Sequence, residues 1–283
     1  MTHAGFWSRL PRRVGRLLIV AGALFMLYPL IWMIGASLKP ESQIFSSTSL
    51  FPAHPSIASY VDGWDGLGYS MTGFMVNSVV LCGLCVLGNL VSCSLAAFAF
   101  ARLRFPLKKL FFAIMLTSIM LPLHATIVPQ YILFKYLGWI GTILPLVVPK
   151  FLAVDAFFVF LLVQFIRTIP TELDDSSEID GCGRLRLFYS IILPLAVPAL
   201  ATTAIFTFLW TWGDFFSQLI YLSGNPSDFT VPVALGAFVD STSQSSWGQL
   251  LAMSVVSLLP VFGFFVAFQR LLLQGISTTG LRG

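Results

Sequence analysis

Six long apolar runs set the plan of the chain, at about residues 16–38, 74–101, 110–128, 144–165, 195–222 and 250–273, and most of its charged residues fall between them. Each run is long enough for the ~20 residues that cross a bilayer core of about 30 Å. None alternates apolar and polar positions with period 2, and a lipid-embedded segment must satisfy its own backbone hydrogen bonds, so the runs predict helices rather than barrel strands. The expected fold class is an all-α integral membrane protein, a six-helix transmembrane bundle. Arg9, Arg12, Arg13 and Arg16 ahead of the first run resemble the start of a secretory signal, but its apolar core is longer than a signal's and no small-residue cleavage pattern follows Leu38. The first helix is therefore expected to be retained. The chain then divides into an N-terminal segment 1–15, a transmembrane domain 16–273 and a tail 274–283.

Composition agrees with immersion in lipid. Hydrophobic residues make up 57% of the chain and charged residues 10%, against about 25% charged in a soluble domain, and there are 27 Phe and 7 Trp. Lys and Arg also orient the bundle. Thirteen cations lie in the N-terminal segment, the even-numbered loops and the C-terminal end, whereas Lys39, Lys135 and Lys150 lie on the other side. Positive residues collect in the cytoplasm, so both termini are expected there. The net charge of +4 then follows from topology, and nucleic acid need not be invoked.

The exception to this apolar character is the loop at 167–194, where Glu172, Asp174, Asp175, Glu178 and Asp180 place five carboxylates in nine positions. Such a cluster is solvated, and its pattern predicts a short helix. Thr171 and Asp174 have capping-box spacing, Pro170 is tolerated at a helix start, and Gly181 can take the left-handed conformation that ends a helix. Read from the residues alone, this is either an ordinary acidic turn or the place where the protein is controlled. Cys82 and Cys85 have the spacing of half a zinc site, but no second pair completes it, and Cys82, Cys85 and Cys93 read as small packing residues. His124 reads as structural. Pro122, Pro129, Pro194, Pro198 and Pro260 suit either a moving cavity or static packing. The loop Lys39–Thr72 is long for a connector, as is Ser223–Trp247, which favours surfaces that meet something outside.

From Asp175-Ser176-Ser177, three residues lead to Gly181, nine more to Ile191, and one more to Leu193-Pro194. This spacing resembles the EAA loop of permease subunits in bacterial ATP-binding-cassette importers, in which Glu-Ala-Ala, Gly, Ile and Leu-Pro recur at those intervals. Asp180-Gly181 matches the family's Asp-Gly pair. Asn77-Ser78, Leu95 through Arg102, Arg104-Phe105-Pro106, Leu121-Pro122, Trp212, and Gln269-Arg270 through Gly283 extend the likeness toward the carbohydrate subgroup, of the maltose and glycerol-phosphate type. Two departures stand out: Asp175-Ser176-Ser177 replaces Glu-Ala-Ala, and Trp212-Gly213 stands where the family has Trp-Asn.

The resemblance implies the type I importer fold and a binding-protein-dependent carbohydrate permease that does no covalent chemistry. It implies a heterodimer with a second homologous permease, two cytoplasmic ATPase subunits, an extracytoplasmic sugar-binding protein and a setting of membrane lipid. The chain has no phosphate-cradling Gly-x-x-x-x-Gly-Lys-Ser/Thr loop, so ATP and Mg are expected on the partner ATPase and no cofactor on this chain. Coupling is assigned to Glu172, Asp175, Ser176, Ser177, Asp180, Gly181, Leu193 and Pro194. Asp155 and Asp214 are acids in or near membrane segments, where an isolated charge costs at least about 2.5 kcal/mol. Trp210, Trp212, Asp214 and Phe215 form the expected substrate path, since aromatic faces beside a carboxylate suit a sugar. An ion-driven secondary transporter would call for paired intramembrane charges and inverted halves, and an intramembrane enzyme for a catalytic pair. Neither pattern is evident, and neither would explain the loop spacing.

Overall fold

The structure, a computed structural model, describes residues 12–239 and 246–279. The expectations on 1–11, 240–245 and 280–283 lie outside the described residues. Fourteen α-helices and no strand occur among the described residues. They are α1 (Arg12–Ser37), α2 (Ala58–Trp64), α3 (Met71–Arg102), α4 (Lys108–Ser118), α5 (Leu123–Tyr136), α6 (Leu144–Val147), α7 (Ala156–Thr168), α8 (Glu172–Ile179), α9 (Arg184–Leu187), α10 (Leu193–Leu195), α11 (Val197–Gly213), α12 (Phe215–Tyr221), α13 (Val231–Ala237) and α14 (Trp247–Thr279).

By length and composition, four described helical stretches can cross a membrane, Val14–Ser37, Met71–Arg102, Leu144–Thr168 and Trp247–Arg270, and a bent pair makes a fifth. The six expected spans are thus only partly realised. The run at 110–128 is not one helix: α4 ends at Ser118, and α5 begins after Pro122, whose backbone is extended. Proline lacks the N–H that would continue the ladder, and hydropathy does not register the break. The fifth run is also broken. Residues 184–195 and 197–213 meet at 76°, next to Pro194 and Pro198, and the turn Phe188–Ile192 is wound as a π-helix. Each proline frees a carbonyl one turn back, and the local rewinding accommodates it.

By its contacts the chain separates into two compact units, Met1–Gly68 with Ala237–Val256, and Tyr69–Gly236 with Ser257–Gly283, each over its described residues. Within the first unit, the loop after α1 is organised around Lys39. Its stem is buried and its Nζ donates to the carbonyls of Ser47 and Ser49 at 3.3 and 2.6 Å, which tie down the chain that follows. Glu41 accepts from the backbone N–H groups of Trp247 and Gly248 at 2.9 and 2.8 Å, satisfying two donors at the start of α14. Phe45 meets the Trp247 ring edge-on, at 5.5 Å between centroids.

The second unit is built on α3, α7 and α11. Cys93, Ala97 and Phe98 of α3 interdigitate with Phe158, Val159, Leu162, Val163 and Ile166 of α7, and Leu187, Phe188, Ile192 and Ala199 close the other side. Small residues on α3 permit close approach: a Cβ on Gly88 would lie 2.9 Å from the Phe151 ring and 3.0 Å from Lys150 Cβ. Much of the remaining apolar surface faces outward, and α1 is exposed along its apolar window. That distribution suits a lipid solvent rather than water.

Candidate functional site

Two charged constellations lie in the second unit, one within the apolar layer and one at the end of α3. The first begins with a fold-back. After α6 the chain forms a 3₁₀ turn over Val148–Leu152, and Ala153 adopts φ +54°, so that Lys150 faces Asp155 across the turn. Lys150 Nζ lies 3.1 and 2.8 Å from the two Asp155 oxygens. Asn89, buried at the middle of α3, donates its amide to Asp155 Oδ2 at 2.6 Å and to Thr207 Oγ1 of α11 at 3.1 Å. Ser92 Oγ donates to the Lys150 carbonyl at 2.6 Å. Asp155 therefore sits at the N-terminus of α7 and meets a cation on both oxygens, while Asn89 of α3 joins it to Thr207 of α11. A carboxylate at a helix N-terminus is favourably placed, and a charge pair away from water persists only when its remaining hydrogen bonds are met.

This network borders two open cavities. One, of about 470 Å³, is lined by Cys85, Lys150, Trp210, Thr211, Asp214 and Gln218 among others. The second, of about 630 Å³, also reaches Lys150 and Asp214 and adds Gln130, Asp155, Ser217 and Tyr221. Asp214 breaks α11 from α12 and caps α12 by accepting from the Ser217 N–H at 3.0 Å. Gln218 donates to the Thr211 carbonyl at 2.5 Å and accepts from the Thr230 hydroxyl. The lining thus offers a Lys, two carboxylates, amides and a half-exposed indole, the groups with which a protein meets a polyhydroxylated solute.

Of the expected path residues, the structure brings Trp210 and Asp214 together on one cavity. Trp212 lines neither cavity: it is buried, with its ring 5.5 Å from Phe208 in a near-parallel stack. Phe215 is exposed but lines neither cavity, and its ring lies 2.7 Å from where a Gly236 Cβ would be. Lys150, Asn89, Thr207 and Gln218 were not foreseen. A lone asparagine in the middle of an apolar helix was the available signal for Asn89. Cys82, Cys85 and Cys93 lie buried among helices, and no group of three metal-ligating side chains occurs among the described residues. The His124 ring lies 5.1 Å from that of Phe216, tilted by 41°.

The second constellation is the acidic segment. It is helical over Glu172–Ile179, and Gly181 holds φ +74° with open space around its Cα, so glycine is required there by backbone conformation alone. The expected capping box is not made: Thr171 gives no side-chain cap, and Asp174 turns instead toward Arg102, the last residue of α3. Asp174 Oδ2 lies 3.4 Å from Arg102 Nε, and the two side chains are 13% and 4% exposed. Burial holds the Asp174 carboxyl above the usual carboxylate range; the Arg102 guanidinium pulls it back, Asp175 adds to the rise, and Arg184 opposes it. Arg102 Nη2 also donates to the carbonyls of Ile166 and Ile169, at 3.2 and 2.6 Å, where α7 ends.

Ser177 is buried, and its hydroxyl donates to the Asp174 carbonyl at 2.7 Å. Glu172, Asp175, Ser176 and Asp180 are exposed, and Ile179 stands beside them at 87% exposure. Leu193 packs against the core, and Pro194 lies at the break that follows the π-helical turn.

A helical, lipid-exposed protein with a polar cavity among its spans and a charged, solvent-facing helix between them belongs to the class of multi-pass membrane transport proteins. Residues 88–278 match the family described as binding-protein-dependent transport system inner membrane component, and the chain belongs to that family. It is an inner-membrane transport permease. The galactooligosaccharides transport system permease protein GanQ of Bacillus subtilis is 30% identical over 270 residues, covering 94% of each protein. The trehalose/maltose transport system permease protein MalG of Thermococcus litoralis is 28% identical over 272 residues, covering 95% of this chain and 97% of that one. In fold, the chain matches a subunit of a bacterial ABC transporter involved in import of the acidic polysaccharide alginate, with TM-score 0.79 at 20% identity over 95% of this chain and 99% of that one.

Proposed function

We propose that this chain is one membrane-spanning permease subunit of an ATP-driven carbohydrate importer. It takes a di- or oligosaccharide, a polyol or a glycerol phosphate from an extracytoplasmic binding protein, and its energy coupling runs through residues 172–194. The observation that carries the reading is the exposed helix α8, which presents Asp175 and Ser176 outward, ends on left-handed Gly181, and leads to Leu193-Pro194 at the importer spacing. Relatives named for galactooligosaccharide and for trehalose and maltose transport support the solute class.

In this reading both termini are cytoplasmic, a second homologous permease completes the pathway, and two ATPase subunits carry ATP and Mg. The outer face of α8 docks on an ATPase, with Ile179 in an apolar pocket and Glu172, Asp175 and Asp180 against basic side chains. Closure of the ATPases around ATP moves the docked helices and turns the pathway outward. ATP can shift the equilibrium only because the docked assembly makes different contacts in its two states. Solute passes the cavity at Trp210 and Asp214, where Lys150 and Gln218 supply hydrogen-bonding groups, and the adjoining one at Asp155.

The test is copurification of the four-component complex and measurement of ATP hydrolysis with the binding protein across disaccharides, polyols and glycerol phosphates. One solute group should stimulate hydrolysis and accumulate in proteoliposomes. A complex that forms but responds to none of these solutes would overturn the carbohydrate assignment. Failure of a cysteine at Ile179 to crosslink to an ATPase would overturn the coupling assignment.

A further inference from the structure

Arg102 occupies a position that the transport reading leaves unused. It is the last residue of α3, its side chain is almost wholly buried, and it touches two further elements at once. One terminal nitrogen, Nη2, holds the carbonyls of Ile166 and Ile169 at the end of α7, and Nε faces Asp174 of α8. The contact with α8 is the loose one: Arg102 Nε lies 3.4 Å from Asp174 Oδ2, and Nε and the other carboxylate oxygen, Oδ1, have no hydrogen-bond partner. A buried donor and a buried carboxylate oxygen left without partners can gain from a shift that satisfies them.

The same two rods are tied at a second level, at the middle of α3 and the head of α7. Asn89 of α3 is bonded to Asp155 at the head of α7, and Asp155 holds Lys150 at the edge of the cavities. Asn89 and Arg102 are thirteen residues apart on one helix, and α7 itself has 13 residues, so each rod separates its two ties by about 20 Å. Between the ties lies buried core, Cys93, Ala97 and Phe98 with Phe158, Leu162 and Val163. A closely packed pair of helices, pinned at two levels, moves as one body.

We propose that Arg102 is a positioning residue of the transport cycle: it couples α8 to α3 and α7, so that displacement of α8 moves this rod pair and the polar cavity edge at Lys150 and Asp155. The proposal rests on the reading of α8 as the helix that docks on the ATPase. A guanidinium suits the role because its planar fork can hold two carbonyls with one nitrogen while another faces a carboxylate; a lysine ammonium is a single point charge and cannot span both.

The experiment uses the complete complex in proteoliposomes, with solute imported per ATP hydrolysed as the readout. Asp174→Asn and Arg102→Lys are each expected to lower that ratio about fivefold or more, in keeping with a coupling free energy between sites. Asp174→Glu should recover most of it. A residue that only supported the fold would reduce complex yield, thermal midpoint and both rates in parallel and leave the ratio in place, and that result would overturn the proposal. So would a ratio within about twofold of the parent in both variants while a cysteine at Ile179 still crosslinks to the ATPase, since such a change is below the usual coupling range. If that cysteine captures no ATPase with Arg102 and Asp174 intact, the docking reading fails first and the proposal falls with it.

Discussion

The Lys150–Asp155 pair and the Arg102–Asp174 pair each join a cation to a carboxylate on the α3–α7 framework, and they differ in how completely the charges are met. At the cavity edge both Asp155 oxygens are within 3.1 Å of Lys150 Nζ, and Asn89 supplies a further donor. At the end of α3 the nearest approach is 3.4 Å, and one atom on each side is unpartnered. The first pair is also more accessible, with side chains 27% and 24% exposed. A fully satisfied network fixes one arrangement of helices, whereas a partly satisfied one leaves free energy to be gained by a shift. The cavity edge therefore behaves as an anchor, and the α8 contact as the joint that moves.

The largest effect should come from breaking the anchor. Asp155→Ala leaves Lys150 without its acceptor and Asn89 with only Thr207, and should lower stability by about 2 to 3 kcal/mol, somewhat under the figure for a fully enclosed pair. The check is the thermal midpoint of the detergent-solubilised complex. Replacing both partners, as Lys150→Met with Asp155→Leu, should recover most of that loss, because no uncompensated charge remains. An unchanged midpoint in Asp155→Ala would mean that the network is not an anchor. Gly88→Val comes next. Its added atoms meet the Phe151 ring and the Lys150 stem, which should cost about 1 to 3 kcal/mol through overpacking and displace the cation from Asp155. If the midpoint holds, α3 has room to shift, and the anchor is softer than its distances imply.

Gly181→Val tests the other side of the comparison. Its φ of +74° is unfavourable for any residue with a Cβ, by about 1 to 2 kcal/mol, but nothing is packed around it. The complex should therefore assemble with near-parental yield while uptake falls sharply, because the strain acts on the path from α8 to Leu193. Normal uptake in this variant would detach the turn from coupling.

These two regions were not equally legible in the sequence. The acidic helix was, because its charge density and interval pattern are local and do not depend on the tertiary fold. Its left-handed end at Gly181 was legible for the same reason. The Thr171–Asp174 box failed because a cation 72 positions earlier in the chain competes for Asp174. Ser177 and Trp212 were placed by residue type, but burial is decided by which helix face meets a neighbour. The Lys150–Asp155 pair was hidden more deeply. Residues five apart do not meet on a regular helix, where neighbours are three or four apart. The 3₁₀ turn and left-handed Ala153 bring them together. The break at 119–122 was invisible for a related reason: hydropathy continues across it, and only backbone geometry stops.

The smallest expected effect, and the one that most sharpens the contrast, is a pH response confined to the joint. Asp174 lies between Arg102 of α3 and the charges of its own loop, Asp175 and Arg184, and burial raises its carboxyl above the ordinary range despite both cations. On acidification through that raised range it should take up a proton and lose its attraction to Arg102. Because the folded chain holds this proton more tightly than the unfolded one, the uptake adds to stability as pH falls between the ordinary carboxylate value and the raised one, and that contribution is lost as pH rises. A decline in coupling within that window therefore cannot be unfolding driven by Asp174. Solute imported per ATP should fall in the parent as the pH on the α8 side is lowered, and converge on the value for Asp174→Asn, which should stay level. Equal slopes in the two proteins would remove Asp174 as the titrating group and place the pH response outside the joint.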